Sequence, residues 1–243
     1  MHVTKIHILN ERFPVQDEYP FSLPVFRSTP SLDLTAPVTF FAGDNGTGKS
    51  TLLRAIAQAC NIHVWKDEGR TRLRQTRFED ALYSCLRIEW DKEPVAGAFF
   101  AAEHFQYFTR ILDEWAAADP GVLKLFGSES LVAKSHGEGH MAYFRNRFRI
   151  RGLYLLDEPE NALSPRMQIV LLRLFREMSA TGNAQFIIAS HSPVLLAYPG
   201  AEIFSFDSAP LRRTRYEDTD YFRVYHDFLN NRERYFDGNG TGV

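Results

Sequence analysis

Gly43-Asp44-Asn45-Gly46-Thr47-Gly48-Lys49-Ser50-Thr51 fits the pattern G-x-x-x-x-G-K-[ST], and its two flanks decide how the chain folds. The run Val38-Thr39-Phe40-Phe41-Ala42 before it is short and apolar, like a buried strand. Leu52-Leu53-Arg54-Ala55-Ile56-Ala57-Gln58-Ala59 after it has helical spacing, and the predicted helix continues to about Cys60. Strand, glycine-rich turn and helix form the setting in which such a loop wraps a polyphosphate. Glycines permit positive φ and let the backbone come close to the ligand. The N–H groups of the turn and of the first helical turn bind anionic oxygens, helped by the helix dipole. Lys49 is placed to reach the β- and γ-phosphates, and the Ser50 hydroxyl to ligate Mg²⁺. These residues imply a nucleotide-binding chain.

Composition narrows the class. The chain has 243 residues, 24% charged and 44% hydrophobic, which suits one large α/β unit with a sizeable core. A net charge of −2 sets up no basic field to recruit nucleic acid or anionic lipid. Cys60 and Cys85 lie in unrelated segments without metal-ligand spacing and read as two buried apolar side chains in a reducing compartment. No run approaches the roughly 18 apolar residues of a membrane span. The opening segment alternates like a strand over residues 3–9 and lacks a signal-peptide core, so the expectation is cytoplasmic, with no membrane insertion.

Outward from the loop, residues 13–37 are enriched in proline and read as a loop-rich approach with one edge strand near Leu23–Arg27. The mixed charges of residues 62–80, including Arg70, Arg72, Arg74 and Arg77, read as a solvated face, with a phosphate-contacting patch as the minor alternative. Leu82–Trp90 is a predicted strand. Glu103 to about Ala118 is a predicted helix that Asp119-Pro120-Gly121 ends, its aromatics serving packing, and Met141–Phe148 is another. Leu153-Tyr154-Leu155-Leu156 is a continuous apolar run, typical of a strand covered on both faces in a parallel sheet. Ser164-Pro165 opens a helix to about Ala180, Phe186–Ala189 and Glu202–Asp207 are further strands, and Tyr221–Arg232 a closing helix. Residues 237–243, glycine-rich, are expected to be a disordered tail. Strands separated by helices imply a sheet with parallel strands whose ligand lies at their carboxyl ends.

The second strong signal is Asp157-Glu158-Pro159, two acids at the end of that apolar run. Desolvating them costs several kcal/mol unless a cation or hydrogen bonds compensate. Asp157 can hold Mg²⁺ beside the loop, and Glu158 can take a proton from an attacking water.

With this pair in view the chain resembles the ABC-type ATPase superfamily over most of residues 38–207. Asp157-Glu158-Pro159 resembles its Walker B with the catalytic glutamate, and Asn161-Ala162-Leu163-Ser164 its D-loop. Ala189-Ser190-His191-Ser192 is similar to the switch-histidine segment, and Lys134-Ser135-His136-Gly137-Glu138 stands where the family has Leu-Ser-Gly-Gly-Gln. The resemblance implies an α/β P-loop NTPase fold, an ABC-ATPase-like mixed sheet with flanking helices. It implies one domain over residues 1–236, with a helical subdomain inserted at roughly 95–150.

It further implies Mg-ATP hydrolysis in a homodimer formed on ATP binding, each ATP lying between one copy's loop and the other's Ser135 and Gly137. In that arrangement Lys49 clamps phosphates, Ser50 and Asp157 hold the metal, Glu158 is the base, and His191 senses the γ-phosphate. The output is conformational, exerted on a protein partner that the residues do not identify. Lys134, His136 and Glu138 depart from the signature. Glu103 and Gln106 are the Q-loop candidates, and Tyr19, Phe21 and Phe26 those for an adenine platform. Arg145, Arg147, Arg149 and Arg151 alternate, by default a solvated edge or inter-subunit pairs, with nucleic-acid contact the minority reading. Alternatives are an ABC transporter's ATP-binding subunit, a slow-turnover ATP-gated interaction module, and a compact DNA-repair or defence ATPase. A long-armed genome-maintenance ATPase is a poor fit, because only 108 positions separate Lys49 from Asp157. A P-loop kinase has no obvious use for the Asp-Glu-Pro and histidine pair.

Overall fold

A computed structural model of the chain describes residues 1–65, 77–119, 121–123 and 135–236. Strand β1 (Val3–Ile8), helix α1 (Pro24–Ser28) and strands β2 (Ser31–Asp33) and β3 (Val38–Ala42) precede helix α2 (Lys49–Ala59). Strands β4 (Leu86–Trp90) and β5 (Gly97–Ala101) follow, then helices α3 (Phe105–Ala118) and α4 (His136–Arg147). Strand β6 (Gly152–Asp157), helix α5 (Pro165–Ala180), strand β7 (Ala184–Ala189) and the short helix α6 (Pro193–Leu196) come next. Strands β8 (Glu202–Ser205) and β9 (Arg212–Thr214) and helix α7 (Asp220–Asn231) complete the described elements.

The strands form two sheets. One is antiparallel, ordered β2-β1-β4; the other is six-stranded, ordered β5-β6-β7-β3-β8-β9, parallel except for the antiparallel edge pair β8 and β9. The unbroken apolar runs have a plain cause. In β6, Leu153 and Leu155 enter a core shared with Ile6 and Ile8 of β1 and with Leu52, Leu53 and Ile56 of α2. Tyr154 and Leu156 enter a second core with Leu112, Phe144, Leu171 and Phe175 on α3, α4 and α5. Helix α2 is thus enclosed between the sheets, while α3, α4 and α5 cover the far face. Alternate side chains feed opposite cores, so from Leu153 to Leu156 no side chain of the strand faces solvent.

The expected α/β fold, a P-loop NTPase with a mixed sheet, is the one observed. Three local expectations fail. Leu23–Arg27 is not an edge strand: Pro24 occupies the first position of α1, where its fixed φ suits a helix and its missing N–H costs nothing. Leu82–Cys85 is a 3-10 turn, so the predicted strand begins only at Leu86. Gly97–Ala101, assigned to the inserted helical subdomain, is β5 of the main sheet, paired with β6. Within residues 95–150 the described helices start after Ala101. Helix α4 begins at His136, earlier than expected, because Ser135 and Glu138 form a reciprocal cap. Cys60 is only half-buried, though Cys85 is buried as expected; both are free thiols. Arg70, Arg72, Arg74, Lys134, Pro120 and the 237–243 tail lie outside the described residues.

Candidate functional site

Strand register brings the chemistry together. Ala189 at the end of β7 pairs with Asp157 of β6 on one side and with Phe41 of β3 on the other. Ala101 of β5 pairs with Asp157 in turn. The loop after β3, the acids ending β6, and Ser190 and His191 after β7 therefore leave the sheet at one edge. Strand β7 separates β6 from β3, so Asp157 reaches the loop through α2: Ser50 Oγ donates to Asp157 Oδ1 at 2.8 Å. Glu103 and Gln106 follow β5 at this same edge, and not the Leu86–Trp90 strand.

The loop is open at Gly46, where among the described residues nothing beyond its chain neighbours lies within 4 Å of an added β-carbon, and closed at Gly48. Gly48 has φ +104°, and a β-carbon there would sit 2.9 Å from Leu23 and from Phe26. Only glycine meets both conditions. The Asp44 N–H donates to Asp207 Oδ1 at 2.7 Å and the Asn45 N–H to Asp44 Oδ1 at 2.7 Å. At Lys49, Ser50 and Thr51 the first N–H groups of α2 have no partner within the helix, the usual anion-binding end. Lys49 is buried, its Nζ donating to the carbonyls of Gly43 and Asp44, both at 2.7 Å. Burial pushes its ammonium down, opposed by Glu158, Asp207, Asp157 and Asp44. Of the three candidate adenine platforms, Phe21 and Phe26 are fully buried in the core and cannot stack on a base. Tyr19 is half-buried and hydrogen-bonded to Thr51.

Glu158 stands in a left-handed conformation, φ +49°, which costs a non-glycine residue on the order of 1–3 kcal/mol. Its N–H to Ala189 O bond at 2.9 Å helps hold it there. Asn161 Nδ2 donates to Glu158 Oε2 at 2.7 Å, and His191 Nε2 lies 3.4 Å from Oε1. The His191 contact, followed by Asn161, holds this carboxyl below its ordinary value despite burial. It is therefore ionised at neutral pH and able to accept a proton.

Asp157 is the opposite case: burial pushes it up to about 6, against the help of Ser50 and Arg54. The folded protein thus holds the Asp157 proton more tightly than the unfolded chain does. Stability is gained below the unfolded carboxyl value near 4 and is lost as pH rises to about 6. Asp157→Asn is accordingly expected to stabilise the nucleotide-free protein at pH 7.5 by about 1–3 kcal/mol. The same variant should lose the Mg²⁺-dependent part of any nucleotide stabilisation. Thermal melts at pH 5 and 7.5, with and without Mg-ATP, measure both. A hydroxyl and a carboxylate oxygen in contact suit a hard divalent cation, and Ser50 and Asp157 would hold Mg²⁺.

Two side chains join the site that sequence reasoning missed. Glu160 Oε1 accepts from Ser190 Oγ at 2.8 Å, His191 N at 2.7 Å and Ser192 N at 3.1 Å, so it clamps the segment carrying His191. Its only sequence signal was a third acid two residues after Glu158. Glu160→Ala would strand three donors and is expected to cost about 2–4 kcal/mol, lowering the melting temperature by roughly 5–15 °C. Glu160→Gln keeps an accepting oxygen and should cost much less; melting both variants checks this. Tyr221 of α7 is the other. Its Oη donates to Gly43 O at 2.7 Å and lies 2.5 Å from His191 Nδ1. Nothing in the sequence around residue 221 signals it.

Ser135 and Gly137 belong to the start of α4. The Ser135 side chain caps α4, accepting from Glu138 N at 3.4 Å and donating to Glu138 Oε2 at 2.6 Å. At Gly137 a β-carbon would lie 2.7 Å from Ala162 O, so this glycine is required by packing against its own Asn161–Ser164 segment. Arg145, Arg149 and Arg151 are exposed, and Arg147 donates to Gly97 O at 3.1 Å.

With the geometry in hand, the chain can be set beside known proteins. A family model described as an AAA domain and candidate AbiEii toxin of a type IV TA system matches residues 123–197, and a second AAA-domain model matches residues 24–82. The thiamine import ATP-binding protein ThiQ of Ruegeria sp. (strain TM1040) is 26% identical over 162 residues, covering 62% of this chain and 69% of that protein. Among solved structures, cbiO1 from Clostridium perfringens, part of the ABC transporter complex cbiONQ, superposes with a TM-score of 0.55 at 15% identity, covering 96% of each chain. The ADP conformation of an ATP-binding cassette of an ABC transporter gives 0.54 at 13%, again over 96% of each. At such identities the solved structures speak to the fold alone. Together the two AAA-domain matches, the ThiQ relative and these folds support an ABC-type ATPase superfamily for the chain. Among the described residues, no helix is long and apolar enough to cross a membrane.

Proposed function

We propose that residues 1–236 form a single, cytoplasmic ABC-type ATPase domain that binds Mg-ATP, hydrolyses it to ADP and phosphate, and works as an ATP-gated head-to-tail homodimer driving a change in a protein partner. The observation that carries the reading is the meeting, at one sheet edge, of Lys49 inside its loop, Ser50 on Asp157 at 2.8 Å, and Glu158 with His191 at 3.4 Å. Amides of residues 45–51 and Lys49 would bind the phosphates. Bound Mg²⁺ would neutralise phosphate charge between Ser50 and Asp157. Glu158 would take the proton of the attacking water, while His191 would contact the γ-phosphate. The test is size-exclusion chromatography with phosphate-release kinetics, with and without Mg-ATP. Dimerisation that depends on ATP, with steady turnover, is expected; a monomer at saturating ATP would remove the dimer from the reading.

A second reading, a slow-turnover ATP-gated interaction module, is favoured by α4. The N-terminus that would face a partner's γ-phosphate carries the Glu138 carboxylate, held there by its own cap. A negative charge at that point opposes an approaching triphosphate. Nucleotide binding and dimerisation with negligible turnover would select this reading. A transporter subunit, suggested by the relative named for thiamine import, would instead co-purify with a membrane permease.

A further inference from the structure

We infer that Tyr221 is a positioning residue for His191, holding the Nδ1 edge of the imidazole so that Nε2 is turned to the reacting side. A tyrosine hydroxyl has one proton to give. Gly43 O can only accept, and at 2.7 Å it takes that proton. Nδ1 of His191, 2.5 Å from the same oxygen, must then be the donor of the second bond. The nitrogen left facing Glu158 Oε1, at 3.4 Å, is Nε2. This is the general logic of a functional histidine, whose second nitrogen is oriented by the bond its other nitrogen makes.

The hydroxyl is suited to the task. Burial, with Asp207 and Asp44 nearby, pushes it up to about 12, so it keeps its proton at neutral pH. The two rings meet edge-on, 86° apart in plane and 5.5 Å between centroids, which limits rotation of the imidazole. Tyr221 lies in the first turn of α7, anchored by the buried Thr219, whose side chain accepts from Phe222 N. Gly43 O is shared: it accepts from Lys49 Nζ as well as from Tyr221. One carbonyl at the base of the loop therefore ties the phosphate-binding lysine to the histidine through α7, by way of a bond between residues 178 positions apart.

The catalytic side of this inference rests on the ATPase reading, and its structural side does not. Protein carrying nitrogen-15 in its histidines is compared as wild type, Tyr221→Phe and Tyr225→Phe, with His191→Gln identifying the His191 signals. In the nucleotide-free wild type Nδ1 is expected at the shift of a protonated nitrogen, and Tyr221→Phe should move it towards the unprotonated value. The same variant should lower kcat by about ten- to a hundredfold, by analogy with losing the group that orients a metal-bound imidazole. KM should stay within about threefold, since uniform binding is untouched. Tyr225→Phe, an exposed tyrosine one turn along, should change neither. An unprotonated Nδ1 in the wild type, or a Tyr221→Phe protein with unchanged Nδ1 or unchanged kcat, overturns the inference. If the wild type shows no turnover at all, the ATPase reading fails while the nitrogen shifts still decide this one.

Discussion

Glu158→Gln is expected to slow ATP hydrolysis by about 10²–10⁴-fold while leaving nucleotide binding nearly intact, and to convert a transient dimer into one stable enough to isolate. Glutamine has the shape of glutamate and can still accept from Asn161, so the left-handed turn at residue 158 keeps its support. What it lacks is a basic oxygen. Wild-type Glu158 is kept ionised chiefly by the His191 contact, with Asn161 helping, and so can take a proton; the amide cannot. If hydrolysis is what reopens the dimer, removing the proton acceptor stores the closed form. Size-exclusion with Mg-ATP, at concentrations where the wild type is mixed, shows the shift. Turnover close to wild type would mean that another group takes the proton. Loss of turnover without any dimer would separate the chemistry from the proposed assembly.

Lys49→Ala is expected to weaken ATP binding by about 10²–10⁴-fold, the equivalent of two charge-assisted hydrogen bonds at about 1.5–3 kcal/mol each. The reason is visible without nucleotide. Lys49 is held inside the loop by two carbonyls and surrounded by Asp44, Asp157, Glu158 and Asp207. Its charge offsets part of those acids, beside Arg54 at Asp157 and His191 at Glu158. With alanine there, a triphosphate would approach an uncompensated acidic cluster, so Coulomb repulsion adds to the lost bonds. Isothermal calorimetry of wild type and variant measures it. Equal affinities would sink the nucleotide reading of the whole loop, because no other buried cation among the described residues lies in it.

The local sequence determined a good deal by itself. The span of β3, the loop from Gly43 to Thr51, and the helix Pro165–Ala180 with its Ser164-Pro165 start follow from near-neighbour chemistry: apolar runs, glycines that allow positive φ, and a capping side chain beside proline. Asp157 and Glu158 stood out because two acids ending a buried strand need a compensating partner. Segments whose conformation depends on distant contacts were misread. Gly97–Ala101 is short and carries no alternation, and only pairing with β6 makes it a strand. Pro24, which by its local setting marks an edge strand, is the first residue of a helix.

The candidate site divides along the same line. Which residues could touch phosphate was legible, since one contiguous loop supplies most of them. How they are held was not. Glu160 clamps backbone some thirty residues away, Asp207 takes a loop N–H from the neighbouring strand's end, and Tyr221 links Gly43 to His191. Each depends on which elements lie side by side and how far each runs, as with β7 between β6 and β3 and β8 beside β3. Register and helix packing are set by the summed burial of both cores. A hydrogen bond across the fold can be assigned only once that packing has brought its two ends within about 3 Å of each other.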